Sequence, residues 1–136
     1  MVTIGIQYEG QLGTTATHGP SGTTLRTDAP VDNAGRGLSF SPTDLLATAL
    51  GTCVLTTMAI VAGRHGVPFE AAKGQVTKVM TTTGPRRIET LDVILSLPAA
   101  VTPDDRARLE HAGHACPVTK CLHPDVKVNL VFDWSL

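Results

Sequence analysis

Net charge is the first thing this chain lacks. Its 11 basic and 12 acidic side chains leave a formal charge of −1, and only 17% of residues are charged. Such a balance gives no long-range attraction to nucleic acid or to an anionic membrane surface. The two short basic clusters, Arg86-Arg87 and Arg106/Arg108, lie beside acids and read as solvated surface. Linkers, repeats and low-complexity tracts are also missing, so a single domain over residues 1–136 is expected. A chain of this length buries about two-thirds of its unfolded surface. The apolar share of 42% suits a globular fold and argues against disorder. The opening residues lack the basic start and apolar core of a signal peptide. The expected location is therefore the reducing cytoplasm, where cysteines seldom serve as permanent staples. Three cysteines is an odd number, which excludes a fully paired framework within one chain.

What is present is clear local grammar. Val2, Ile4, Ile6 and Tyr8 alternate with Thr3, Gly5, Gln7 and Glu9, a strand pattern. Turns at Glu9-Gly10 and "HGPSG" bound a second strand, Gln11 to His18, and a third follows over Thr23 to Thr27. The glycine-containing loop "DAPVDNAGRG" leads to a long uncharged run. Ser41 stands as N-cap, Pro42 at the first helical position and Asp44 where a capping box wants an acid. Gly66 is the natural left-handed stop. Thr102, Pro103 and Asp105 repeat this grammar before a second helix. Two strands lie between the helices, Ala72 to Thr82 and Arg87 to Leu97, joined through Gly84-Pro85. Val126, Val128, Leu130, Phe132 and Trp134 alternate in a last one. The predicted order is βββ-α-ββ-α-β, an α+β fold.

The first helix carries Leu45, Leu46, Leu50, Val54, Leu55, Met58, Ile60 and Val61 around nearly its whole circumference. A helix apolar on all sides is buried centrally or crosses a membrane. Its apolar run only reaches the minimum spanning length of about 18 residues, and Thr48, Thr52, Thr56 and Thr57 dilute it. Amphipathic strands on both sides favour a central helix wrapped by sheet and shared with a second copy of the chain.

Each cysteine has a bland reading and a sharp one. Cys53, mid-helix, fits as a small core hydrophobe. It lies about 12 residues, roughly 18 Å, from the helix start, beyond the reach of the dipole. Any activation has to come from a cationic side chain brought in by the fold. Cys116 precedes Pro117 in "ACPVTKCL", the pattern of a residue capping a new helical turn. A thiol there faces free backbone N–H groups, a setting that favours the thiolate, and Lys120 adds charge nearby. Otherwise Pro117 merely kinks the helix and Cys116 packs. Cys121 reads as structural. The segment "HAGHACPVTKCLH" also gathers His111, His114, Cys116, Cys121 and His123, which are zinc-ligand types in no standard finger or ribbon spacing. No metal and no other cofactor is expected.

"SPTDLLATALGTC", followed about sixty residues later by "CPVTKCL" with strands before, between and after, resembles the OsmC/Ohr family of thiol-dependent peroxidases. The stretch "SGTTLRTDAPVDNAGRG" looks like the strand and loop preceding that family's first helix. The resemblance implies an intertwined homodimer with two sheets wrapped around central helices. It implies a hydroperoxide reductase in which Cys53 is peroxidatic and Cys116 resolving, acting on organic hydroperoxides with a dithiol or lipoyl-type reductant. A sulfenic acid forms on the first thiol and condenses with the second, and an arginine stabilises the thiolate and the leaving oxygen. Arg26 is the first candidate for that arginine and Arg36 the second. The best-known family members carry a glutamate ten residues before the first cysteine to hold the arginine. Thr43 stands there in this chain, and the nearest acid, Asp44, suits the helix cap. The departure leaves a second reading: an OsmC-like dimer that binds a small molecule or metal without efficient turnover.

Overall fold

The computed structural model describes all residues, 1–136. They form two compact units, Met1–Leu46 and Ala47–Leu136.

The first unit is an antiparallel sheet in the order β1-β2-β3, built from Ile4–Gly10, Gly13–His18 and Thr24–Asp28. β2 begins two residues later than its sequence pattern predicts, because Gln11 and Leu12 belong to the turn. Gly10, Gln11 and Leu12 have φ of 84, 50 and 65°, respectively. Left-handed backbone suits a tight hairpin, yet it costs a non-glycine residue roughly 1 kcal/mol. Thr14 and Thr27, paired across β2 and β3, hydrogen-bond through their hydroxyls at 2.5 Å. The alternation of β1 is real but has no covered side: Ile4, Ile6 and Tyr8 are 57%, 72% and 64% exposed. After β3 the chain folds back. A 3₁₀ turn, Val31–Asn33, opens the loop, and the Asp28 N–H donates to the Phe40 carbonyl at 3.1 Å.

Helix α1, Pro42–His65, starts where its capping box predicts. Ser41 Oγ accepts from the Asp44 N–H at 3.1 Å, and Asp44 Oδ2 accepts from the Ser41 N–H at 2.7 Å. Gly66 ends the helix at φ 66°.

The second unit carries the other sheet, β4-β5-β6, from Lys73–Met80, Ile88–Ser96 and Lys127–Asp133. β4 and β5 are antiparallel, whereas β5 and β6 are parallel. A parallel neighbour needs a crossover. Here α2, Pro103–His114, and a short α3, Pro117–Cys121, supply it. The α+β order therefore matches βββ-α-ββ-α-β, with α3 as an added turn. Thr102 caps α2 as predicted, accepting from the Asp105 N–H at 3.3 Å. The predicted inner face of β5 is the centre of the core: Leu91, Val93 and Leu95, with Leu97 just past the strand's end, are each 0% exposed. Leu50, Val54 and Met58 of α1 and Leu109 of α2 complete it.

Within the chain, α1 is buried along one stripe only: Ala47, Leu50, Gly51, Val54, Met58 and Ala62. Leu46 and Ile60, on other sides of the helix, are 40% and 51% exposed. One three-stranded sheet is too narrow to cover a helix that is apolar all round.

Candidate functional site

Cys53 is half-buried at the margin of that stripe, next to the fully buried Val54. Its carbonyl accepts from Thr57 Oγ1 at 2.8 Å, so the helix is locally well bonded and the thiol projects from a fixed backbone. Cys116 is fully buried and caps α3. Its Sγ accepts from the Thr119 N–H at 3.4 Å and lies 3.1 Å from Thr119 Oγ1. The proline after it fixes this geometry, as the sequence pattern predicts: Pro117 lacks an N–H and starts the turn. Both thiols belong to one apolar cluster, Cys116 within the core and Cys53 packed against it.

The approach between their segments depends on Gly113, three residues before Cys116. A Cβ on Gly113 would stand 3.2 Å from Met58 Sδ and 3.3 Å from Val54 Cγ1. The last turn of α2 thus lies directly on α1, one position along from Cys53. Cys121, by contrast, is exposed at the end of α3.

The five zinc-ligand types do not converge. No three histidine, cysteine or acidic side chains come together in a geometry fit for a metal. The His114 ring packs edge-on against Phe132 at 5.4 Å, and His123 Nδ1 accepts from the Asp125 N–H at 3.2 Å. Arg106 does more than face water. It donates to the Val101 and Ala99 carbonyls at 2.9 and 2.6 Å and lies 5.3 Å from the Trp134 ring centroid.

In the first unit, Arg26 sits at an exposed position of β3, its carbonyl accepting from Ser39 Oγ at 2.9 Å. Arg36 pairs instead with Asp28 (Nε to Oδ2, 3.4 Å) and donates to Gln11 Oε1 at 2.5 Å. The position expected to hold an acid is occupied by Thr43, whose Oγ1 lies 3.1 Å from Ser41 Oγ, and Asp44 closes the cap. Sequence reasoning missed Asp28 altogether. It reads as a loop-edge acid, and only the fold-back of residues 29–40 brings Arg36 to it.

Solved structures resemble this chain over nearly its full length. A crystal structure from Psychrobacter arcticus 273-4, provisionally called an osmotic stress induced and detoxification response protein, is 36% identical. It aligns over 97% of this chain and 96% of its own, with a TM-score of 0.91. An organic hydroperoxide resistance protein OsmC from Legionella pneumophila shares the fold at 17% identity, covering 98% of this chain and 96% of that one, with a TM-score of 0.74. Organic hydroperoxide resistance protein OhrB of Bacillus subtilis shares it at 15% identity over 98% of each chain, with a TM-score of 0.69. No curated protein matches. The sequence profile of OsmC-like proteins matches residues 35–131, a span that holds Arg36, Cys53 and Cys116. With that span and the Psychrobacter likeness agreeing, the chain belongs to the OsmC-like protein family.

Proposed function

We propose that the protein is a thiol-dependent peroxidase that reduces organic hydroperoxides as a homodimer in the cytoplasm. The Cys53 thiolate attacks the terminal oxygen of the hydroperoxide. An S–O bond forms as the O–O bond breaks, and the alkoxide takes a proton and leaves as an alcohol. Cys53 is then a sulfenic acid, the reversible first step of thiol oxidation. The Cys116 thiol condenses with it, forming an S–S bond and releasing water. A dithiol or lipoyl-type donor reduces that disulfide while its own two thiols become one. A guanidinium stabilises the thiolate and the departing oxygen, with Arg26 and Arg36 as candidates.

The observation that carries this reading is the Gly113 contact, which lays the segment ending in Cys116 on α1 beside Val54. The apolar surroundings suit an alkyl substrate over hydrogen peroxide. Dimerisation is supported by the open apolar side of α1 and by the uncovered row Ile4, Ile6 and Tyr8. Stopped-flow mixing with an alkyl hydroperoxide, beside hydrogen peroxide and several thiol donors, tests the reading. Faster reaction with the alkyl substrate and sustained turnover with a dithiol are expected. An inert Cys53 favours the second reading, an OsmC-like dimer that binds a small molecule or metal without turnover.

A further inference from the structure

The three α-helices each open on a capping residue, and one cap is built from different atoms. In α1, Asp44 Oδ2 accepts from the Ser41 N–H at 2.7 Å. In α2, Asp105 Oδ2 accepts from Thr102 Oγ1 at 2.9 Å. Each pairs an oxygen cap with a carboxylate three residues on, as a capping box does. α3 instead has a sulfur at the cap and a hydroxyl three residues on, Cys116 and Thr119.

That pair does little for its helix. The Cys116 N–H already donates to the Gly113 carbonyl at 3.3 Å, so the Thr119 side chain finds no orphan donor there. Its Oγ1 lies instead 3.1 Å from Cys116 Sγ. Sulfur is a weak donor and a weak acceptor, whereas an oxygen at the cap contributes about 1 kcal/mol. Threonine within a helix also costs up to about 0.7 kcal/mol relative to alanine. Helix stability is a poor reason for this arrangement.

Proton movement is a better one. Condensation with a sulfenic acid takes the proton off the second thiol, and Cys116 is 0% exposed, with no direct route to water. The Thr119 N–H donates to Sγ at 3.4 Å, which leaves the thiol hydrogen for Oγ1. Thr119 is half-buried, so its side chain stands between the enclosed sulfur and the surface. A hydroxyl can accept one proton while donating another.

We propose that the Thr119 hydroxyl takes the Cys116 proton, and passes its own to solvent, as Sγ attacks the sulfenic acid. The S–S bond forms as the S–O bond breaks. The departing hydroxide takes a proton from solvent, so the products are one disulfide and one water. The proposal rests on the peroxidase reading for the sulfenic acid, but its deciding test needs no peroxide.

In a Cys121→Ser chain, the aryl disulfide dithiobis(nitrobenzoate) labels half-buried Cys53 and releases one thionitrobenzoate. Cys116 Sγ then displaces the label: a Cys53–Cys116 bond forms, and a second thionitrobenzoate leaves with the electron pair. Absorbance follows that second release, and peptide mass confirms the bond. Thr119→Val should slow it at least about 10-fold, and Thr119→Ser should return it to within about 3-fold of the Cys121→Ser parent. All three chains keep the backbone N–H, so rescue by serine isolates the hydroxyl. If Thr119→Val fails to fold, Thr119→Ala takes its place. With excess alkyl hydroperoxide, Thr119→Val should oxidise Cys53 at the parent rate and then accumulate sulfinic acid there. A parent inert to hydroperoxide, whose label release still depends on the Thr119 hydroxyl, sinks the peroxidase reading and upholds the proton step. Label release in Thr119→Val within about 3-fold of the parent overturns the proposal. So does a serine variant as slow as the valine one, or a label that Cys116 never displaces.

Discussion

The two units of this chain are stabilised by different means. Every buried apolar side chain lies in Ala47–Leu136, where α1, α2 and β5 enclose a dry core. In Met1–Leu46 the buried residues are Gly13, Thr27, Asp28 and Ser41, and no apolar side chain is fully buried. The second unit can thus hold its shape through its own packing. The first is ordered by backbone and side-chain hydrogen bonds and leaves its apolar row Ile4, Ile6 and Tyr8 exposed. Core-forming and exposed hydrophobics look the same in sequence, and only the fold separates them.

The sharpest way to break this comparison is to empty the core of the second unit. Leu50→Ala removes a fully buried side chain between α1 and the sheet. It should cost about 2–5 kcal/mol in urea unfolding at fixed protein concentration. A loss below about 1 kcal/mol would show that the core is not where stability resides. In the first unit the same kind of change should act on assembly. The double variant Ile4→Asp/Ile6→Asp should weaken self-association by at least 10-fold, about 1.4 kcal/mol, with circular dichroism unchanged. Light scattering at micromolar concentration checks this, since the free chain is 14.3 kDa. A wild type that is already monomeric removes the argument from exposed rows.

Cap deletions give a smaller effect and sharpen the contrast. Thr102→Ala should cost about 1 kcal/mol by thermal melting. Ser41→Ala should cost at least as much, roughly 1–2 kcal/mol, because Ser41 is 1% exposed and its hydroxyl has no water to fall back on. The smallest effect expected is none: a chelator should leave the Tm unchanged, because the five zinc-ligand types do not converge. One tightly held zinc per chain with a chelator-dependent Tm would contradict that.

These contrasts also mark what the sequence discloses. Both capping boxes, the Gly66 stop and the inner face of β5 are legible because each depends on residues within a few positions of one another. Cys116 as a cap is legible for the same reason, through Pro117. The parallel pairing of β5 with β6 is not, since no local pattern records which strand a crossover returns to. Nor is the bond between Arg36 and Gln11. Gln11 lies 25 residues from Arg36, and their meeting requires the tight loop over Ala29 as well as the left-handed turn at residues 10–12. The side of α1 that its own chain covers was equally hidden, because an all-round apolar helix carries no mark of which stripe faces which neighbour.

The central claim is that Cys53 and Cys116 are a working pair, and peptide mass mapping after substoichiometric alkyl hydroperoxide tests it most directly. The account predicts a Cys53–Cys116 disulfide with Cys121 free for alkylation. It also predicts that Cys53→Ser consumes no peroxide, and that Cys116→Ser reacts once and then over-oxidises at Cys53 to sulfinic acid. A Cys116–Cys121 disulfide, or a Cys53 that stays reduced, would contradict it.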